Sequence, residues 1–298
     1  MPQSNKTNFA SKTVVAIGKF DGMHIGHREL LLKAKDIARK EGFISVALLI
    51  NSSFSTVLHT KKDRENIIKS LGIDYISSCE LTHQFMSMTP NDFVNEILIK
   101  KYNAYHVVVG YNFRFAKDRC ADANILKTLC ADRGIECTVI DKVICNTACG
   151  TLTASSTNVR KCLLDGDIKS ANDILGTNYT LSGKVICGNK IGRTLGFPTA
   201  NISVEDNIFL PKNGVYFTKV FLDGKYIASV TNIGDNPTVN QNGNITIETH
   251  IIDYSGDLYD KDITVEFIEK IRDEKKFASF DELKKQINND IKSVSNKL

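Results

Sequence analysis

The sequence predicts an α/β fold in two parts: a doubly wound parallel sheet in the N-terminal half, then an antiparallel β-barrel closed by a terminal helix. Three observations carry this. Up to about residue 176, short continuous apolar runs, the mark of strands covered on both faces, alternate with helical patterns. From Leu181 onward the runs become alternating and turn-punctuated, as antiparallel strands require. At the end, Ser279-Phe280-Asp281-Glu282 reads as a capping box, with Leu283, Ile287 and Ile291 on one helical face behind it. A chain of 298 residues with 42% hydrophobic content is long enough for two domains, each with its own core. The boundaries fall at 1–176 and 180–298, with Gly176-Thr177-Asn178 as linker.

The first half opens on Val14–Ile17, a short buried-strand signal followed by a turn bracketed by Gly18 and Gly22. Apolar positions then recur at Leu30, Leu31, Ala34, Ile37 and Ala38, the stripe of an amphipathic helix. His24 and His27 stand one turn apart where that helix begins, beside unpaired N–H groups and the positive end of the macrodipole. Such a place suits phosphate. Zinc is disfavoured, because no third and fourth ligand follows at a familiar spacing.

Ile44–Ile50 is the next strand, followed by a helical pattern over 62–71 and a strand over 73–76. Thr89-Pro90 starts a helix with Phe93, Val94, Ile97 and Leu98 on one face. His106–Val109 is a strand, 121–132 a helix, Ile135–Ile140 a strand and 165–175 helical. In a doubly wound sheet, ligands bind beyond the carboxyl ends of the strands. GKFDGMHIGH, the run Gly110–Phe115 and the run Ser155–Arg160 all occupy such ends. Hydroxyls of the third run can cap a new helix while Arg160 reaches for phosphate oxygens; taken alone, that run is also an ordinary helix start.

In the second half, strands are expected at 181–186, 215–222, 226–233, 245–252 and 263–268. Between the first two lies GKVICGNKIGRTLGFPTAN (183–201), whose glycines and basic residues let backbone amides approach phosphates. Thr199 and Asn201 offer the oxygen ligands that Mg²⁺ accepts beside a nucleotide. A glycine-rich barrel loop without chemistry would look similar.

Two resemblances join these runs. GKFDGMHIGH with SSTNVR resembles the signature of the nucleotidylyltransferase superfamily, in particular the FMN adenylyltransferase half of bacterial bifunctional riboflavin kinase/FAD synthetases. GRTLGFPTAN, LPKNGVY, NIGDNPT and ETHIIDYSGDLY are similar, in order, to riboflavin kinase. The resemblance implies a nucleotidylyltransferase domain and a riboflavin kinase barrel, with riboflavin, FMN, FAD and ATP as substrates or products and Mg²⁺ as cofactor. It implies that His24, His27 and Arg160 act on ATP phosphates, with Gly18, Phe20, Asp21, Gly22, Asn112, Ser156 and Thr157 binding nucleotide. In the barrel it implies Glu248 as base for the ribityl hydroxyl. Gly183, Lys190, Gly192, Thr194, Gly196, Phe197 and Pro198 would bind substrate, and Thr199 and Asn201 the metal.

Departures from the family pattern are uneven. The turn after the second strand, Asn51-Ser52-Ser53-Phe54-Ser55, has no proline, and Ala116, Ala121 and Asp260 stand where the family has glycine. A kinase with a weak or inactive adenylyltransferase half therefore stays open, as does a non-catalytic flavin-binding regulator. An RNA-binding barrel is disfavoured by the lack of an aromatic-plus-basic stripe.

The net charge of +4 is small and scattered, and demands no nucleic-acid partner. No apolar run reaches membrane-spanning length, and the polar start MPQSNKTNFASK fits an unexported, cytoplasmic protein, monomeric or weakly homo-oligomeric. Eight cysteines without a C-x-x-C pair read as buried reduced thiols.

Overall fold

A computed structural model describes residues 9–51, 56–188, 192, 196–235 and 245–297, Asp235 by its backbone only. The expectations for Lys190, Thr194 and the turn at 52–55 lie outside the described residues. The chain forms two compact units, one within Met1–Ser55, Lys61–Ile144 and Thr153–Ser155, the other within Thr56–Thr60, Cys145–Leu152 and Ser156–Leu298.

In the first unit, β1 (Thr13–Gly18), α1 (Ile25–Glu41), β2 (Ile44–Asn51), α2 (Lys61–Ser70) and β3 (Tyr75–Glu80) follow in order. A helix α3 opens at Pro90–Asp92, then come β4 (Ala104–Gly110), α4 (Ala123–Ala131) and β5 (Glu136–Ile140). The sheet order is β3-β2-β1-β4-β5, every pair parallel. The apolar runs are continuous because alternate residues serve two cores. Val15, Ile17, Val46, Leu48, Val107 and Val109 face one side, against Phe93, Leu98 and Leu126; Val14, Ala16, Ala47, Leu49 and Val108 face the other, against Leu30, Leu31 and Ile68. The winding direction reverses between β1 and β4, and a crevice forms at such a switch point.

Several boundaries differ from the sequence reading, each for a local reason. The third strand starts at Tyr75 rather than 73, because the Asp74 carboxylate accepts from Ser45 N–H (2.9 Å) and Ser45 Oγ (2.6 Å) before the ladder begins. Helix α4 starts at Ala123, where Asp122 Oδ1 caps the N–H groups of Asn124 and Ile125 at 3.0 Å each. Thr89 caps α3 ahead of Pro90 as expected and, beyond that expectation, Asp92 returns the bond; the helix then continues over Phe93–Lys101 with the wider π winding, closed by Tyr102 N–H to Ile97 O at 3.1 Å. A hairpin, β6 (Ile144–Thr147) and β7 (Gly150–Thr153), was not predicted. All eight cysteines are free, but only Cys130 and Cys162 are buried, while Cys120, Cys149 and Cys187 are exposed. Burial alone therefore does not account for the thiols.

The departures from family glycines separate cleanly. Ala116 adopts φ 65° and ψ −176°, a region that residues with a Cβ occupy only under strain, and Asp260 has φ 62°. Ala121 is different: it is fully buried in a short strand (Ala121–Asp122) opposite Phe115, where a methyl is an asset. Ala116→Gly is expected to stabilise the first unit by about 1 kcal/mol, read as a higher urea midpoint at unchanged slope. An unchanged or lower midpoint would remove strain at this position.

The second unit holds α5 (Ser156–Asp165), α6 (Ile168–Leu175) and the strands β8 (Tyr179–Ile186), β9 (Ala200–Ser203), β10 (Gly214–Leu222), β11 (Lys225–Asp235), β12 (Ile245–Ile251) and β13 (Asp262–Arg272). The barrel is closed, in the order β8-β9-β12-β11-β10-β13. Strand β9 was read from sequence as part of the glycine-rich loop. Both helices preceding the barrel pack with it: Asn172 Nδ2 donates to Phe267 O at 2.8 Å and Lys212 N–H donates to Leu163 O at 2.9 Å. The terminal helix α7 (Phe280–Ser295) begins at Ser279, whose Oγ caps Glu282 N–H at 3.2 Å. Its most buried residues are Val294 and Asp290, with Leu283, Ile287 and Ile291 only half-buried. Arg272 holds Asp290 through Nε at 3.1 Å and Nη2 at 2.8 Å, an ion pair that an apolar stripe does not announce.

Candidate active sites

At the switch point, β1 delivers the loop Gly18–His24 into the N-terminus of α1. His24 is the N-cap, its Nδ1 accepting from His27 N–H at 3.3 Å. The two imidazoles stack with centroids 3.6 Å apart, and Phe20, fully buried, meets the His27 ring edge-on at 5.5 Å. Phe20 (φ 50°) and Met23 (φ 44°) are both left-handed, so the loop is tightly wound on either side of Asp21 and Gly22 (φ 83°). Gly18 leaves room for the Phe20 ring, which a Cβ there would meet at 3.1 Å. Beyond the carboxyl end of β4, Phe113 N–H closes a turn on Gly110 O at 3.0 Å and Asn112 is exposed beside it.

Burial pushes the His24 imidazole down to about 4, against the pull of Asp21; His27 is driven well below its usual value by burial, then by His24 and Arg64. Both rings are neutral near pH 7. They act as hydrogen-bonding groups there, and the His27 Nδ1 is buried without a partner. The positive charge comes from Arg64 on α2, a buried residue that the sequence reading missed. Its Nη1 donates to Lys19 O at 2.8 Å and its Nη2 to Asn51 Oδ1 at 3.1 Å. The available signal was an arginine one turn before Ile67 and Ile68, on the buried side of α2.

Depressed folded pKa values mean that, below the unfolded value near 6.5, the unfolded chain binds more protons than the folded one. The stability these neutral rings contribute is full above pH 6.5 and falls as the pH drops through about 4 for His24. Acid denaturation scans of the wild type and His24→Asn, which keeps a capping side chain, should diverge over that window. Parallel curves would mean that His24 titrates normally.

Ser156, Thr157 and Arg160 begin α5, within the second unit. Arg160 Nη2 donates to Thr56 O at 2.9 Å and its guanidinium lies over the Phe209 ring at 5.6 Å.

On the barrel, β9 lies between β8 and β12, and Asn201 stands opposite Glu248. Thr199 Oγ1 donates to Glu248 Oε2 at 3.4 Å, while burial raises the Glu248 pKa and the threonine hydrogen bond opposes this. His250, two residues on, fixes the strand by bonding Pro198 O at 2.9 Å and meets Phe197 edge-on at 5.7 Å. A cavity of about 490 Å³ opens beside Thr199 and Asn201, lined also by Gly188, Ile251, Tyr254 and Tyr259. The glycines differ in what they do. Gly192 carries the Phe197 N–H bond (2.8 Å) and touches the Phe197 carbonyl so closely that a Cβ would overlap it; Gly196 has φ 88°. Gly188 makes way for the Asn201 side chain in the same manner. Gly183 lies against the Ser203 carbonyl and Ile202, which gives it a packing role between strands.

For Mg²⁺, the donor set is neutral oxygen plus one carboxylate. Among the described residues no three His, Cys, Asp or Glu side chains converge, so an ion at Thr199 and Asn201 would draw its remaining ligands from phosphate and water. The residues fit a nucleotide-bound ion.

A parallel sheet with a histidine-capped helix at its switch point, and a barrel with a half-buried carboxylate beside a cavity of about 490 Å³, are in one chain the layout of a two-site nucleotide-dependent transferase. The FAD synthetase family matches residues 6–157 and the riboflavin kinase family residues 175–298. The chain is 35% identical to a bifunctional riboflavin kinase/FMN adenylyltransferase of Buchnera aphidicola from Schizaphis graminum, over 97% of this chain and 95% of the relative, and 33% identical to the enzyme of that name from Escherichia coli K12, over 93% and 90%. It belongs to the bifunctional riboflavin kinase/FMN adenylyltransferase family. A crystal structure described as a macrolide-efflux protein from Streptococcus pneumoniae matches with TM-score 0.87 and 30% identity, over 99% of this chain and 98% of that one. Among the described residues no helix is long and apolar enough to cross a membrane.

Proposed function

We propose that the barrel, 180–298, phosphorylates riboflavin with ATP and that the N-terminal domain, 1–176, adenylylates the resulting FMN to FAD with release of pyrophosphate. The observation that carries this reading is the row Thr199, Asn201 and Glu248 beside the 490 Å³ cavity. Glu248 takes the proton from the ribityl hydroxyl as its oxygen attacks the γ-phosphorus, and ADP leaves. Burial makes Glu248 a stronger base than an exposed carboxylate. Thr199 and Asn201 would hold Mg²⁺, which would supply charge neutralisation at the nucleotide phosphates. Gly188, Gly192 and Gly196 shape the backbone near them, and the family resemblance implies substrate binding by Lys190 and Thr194.

For adenylyl transfer an FMN phosphate oxygen attacks the α-phosphorus of ATP, and the protein's task is positioning and charge stabilisation. Neutral His24 and His27 donate to the phosphates, Arg64 supplies the nearby positive charge, and Gly18, Phe20, Asp21 and Gly22 shape the loop. The family resemblance implies nucleotide binding by Asn112, and the same role for Ser156, Thr157 and Arg160 of the SSTNVR run. Small molecules are the partners, and we place the reactions in the cytoplasm, on a monomer or weak homo-oligomer.

A second reading, a kinase with a slow adenylyltransferase half, is favoured by one observation: the strained Ala116 in the loop after β4. Incubation with riboflavin, ATP and Mg²⁺, with FMN and FAD separated over time, tests both. FMN appearing first, then FAD, is expected; FMN alone at every concentration supports the second reading, and neither product overturns both.

A further inference from the structure

Glu248 has a cross-strand neighbour on each side. Asn201 of β9 faces it from one strand and Asn232 of β11 from the other, so the three side chains share one face of the barrel wall in the order Asn201, Glu248, Asn232. The two asparagines differ in their surroundings. Asn201 lines the cavity, with its carboxamide seated against Gly188; Asn232 does not line it. Glu248 therefore divides the row into a nucleotide side and an opposite side. On that opposite side the Asn232 carboxamide is half-buried and makes no hydrogen bond among the described residues. The missing side chain of Gly234 lets the Glu274 carboxylate come close: a Cβ there would overlap that carboxylate and lie 3.2 Å from Asn232 Nδ2.

We propose that Asn232 recognises the polyol chain of the acceptor substrate, bonding a hydroxyl further along the chain than the one Glu248 deprotonates. The inference rests on the kinase reading above, with Glu248 as base. The chemistry fits on three counts. A carboxamide offers donors and an acceptor together, which is what a hydroxyl requires. Directly opposed residues on neighbouring strands have Cβ atoms roughly 5 Å apart, so a short chain of carbinols can span from the base to the amide. The γ-phosphoryl group must reach the attacked oxygen from the side of Thr199 and Asn201, leaving the acceptor to approach along the Asn232 side. A site built to bond a hydroxyl rejects an analogue lacking it, because its own polar group is then stranded.

The test compares kcat/KM for riboflavin and for 4′-deoxyriboflavin in the full chain, wild type against Asn232→Ala and Asn232→Thr. The wild type should prefer riboflavin by about tenfold, the worth of one well-placed hydrogen bond to a half-buried group. Asn232→Ala should treat the two flavins alike, through a raised KM for riboflavin with the KM for ATP unchanged. Asn232→Thr, β-branched and suited to a strand, should recover part of the preference. FMN adenylylation in the same preparations reports on folding of the chain. A preference kept in active Asn232→Ala, or equal changes in both KM values, overturns the inference while leaving the kinase reading in place. A wild type that forms no FMN overturns the kinase reading, and this inference with it.

Discussion

Glu248→Gln lowers riboflavin phosphorylation by roughly 10²- to 10⁴-fold, the usual range for loss of a general base, and leaves FMN adenylylation unchanged. The substitution keeps shape and can still accept the hydrogen bond from Thr199 Oγ1 (3.4 Å), so the geometry beside Asn201 is retained and only the basicity goes. Stability does not explain such a loss. Burial raises the Glu248 pKa, so between the unfolded and folded values the folded chain binds more protons than the unfolded one, and stability falls as pH rises through that window. A neutral glutamine escapes that penalty, and the variant should be at least as stable as the wild type at pH 7. The pH profile adds a second readout. Wild-type kcat/KM should climb with pH along a limb set by a carboxylate titrating above its ordinary value, and that limb should vanish in Glu248→Gln. A variant with wild-type phosphorylation, or one that keeps the limb, would remove Glu248 from proton transfer.

What could be read in the sequence was whatever depends on local pattern. Val14–Ile17 is apolar at every position because alternate residues feed two cores, and the strand follows directly from that. His24 could be placed at a helix start from the stripe behind it, and Thr199, Asn201 and Glu248 stood out by residue type and family pattern. Facts that depend on register or distant packing were hidden. Strand β9 is only Ala200–Ser203, too short to show alternation inside a glycine-rich run, yet it is what sets Asn201 opposite Glu248. Arg64 looked like one more polar residue on α2, until packing turned it toward Lys19 O and Asn51. Asp290 gave no signal at all, since its partner Arg272 belongs to the end of another element. Of the three lost glycines, only dihedral angles distinguish strained Ala116 and left-handed Asp260 from comfortably packed Ala121.

His27→Ala abolishes most FAD formation and spares the kinase. Removing a preorganised donor at a developing phosphate charge typically costs 10²- to 10³-fold, and a comparable loss in kcat/KM for FMN adenylylation is expected here. The residue is exposed to no competing explanation from charge, since burial, His24 and Arg64 hold its ring neutral. Its Nδ1 is buried and unbonded, a cost that a bound phosphate or its solvent shell can offset and that nothing else among the described residues does. Alanine also removes a ring packed against Phe20 and stacked on His24, which lowers stability as well as phosphate binding. Two variants separate the causes. His27→Gln keeps an amide donor and much of the volume, and should retain more FAD formation than alanine at similar thermal stability. His24→Asn keeps the helix cap but removes the stacked imidazole, so its loss measures phosphate binding apart from capping. Equal loss of kinase and adenylyltransferase activity in His27→Ala would point to unfolding of the chain; full FAD formation in both His27 variants would take this ring out of the nucleotide site.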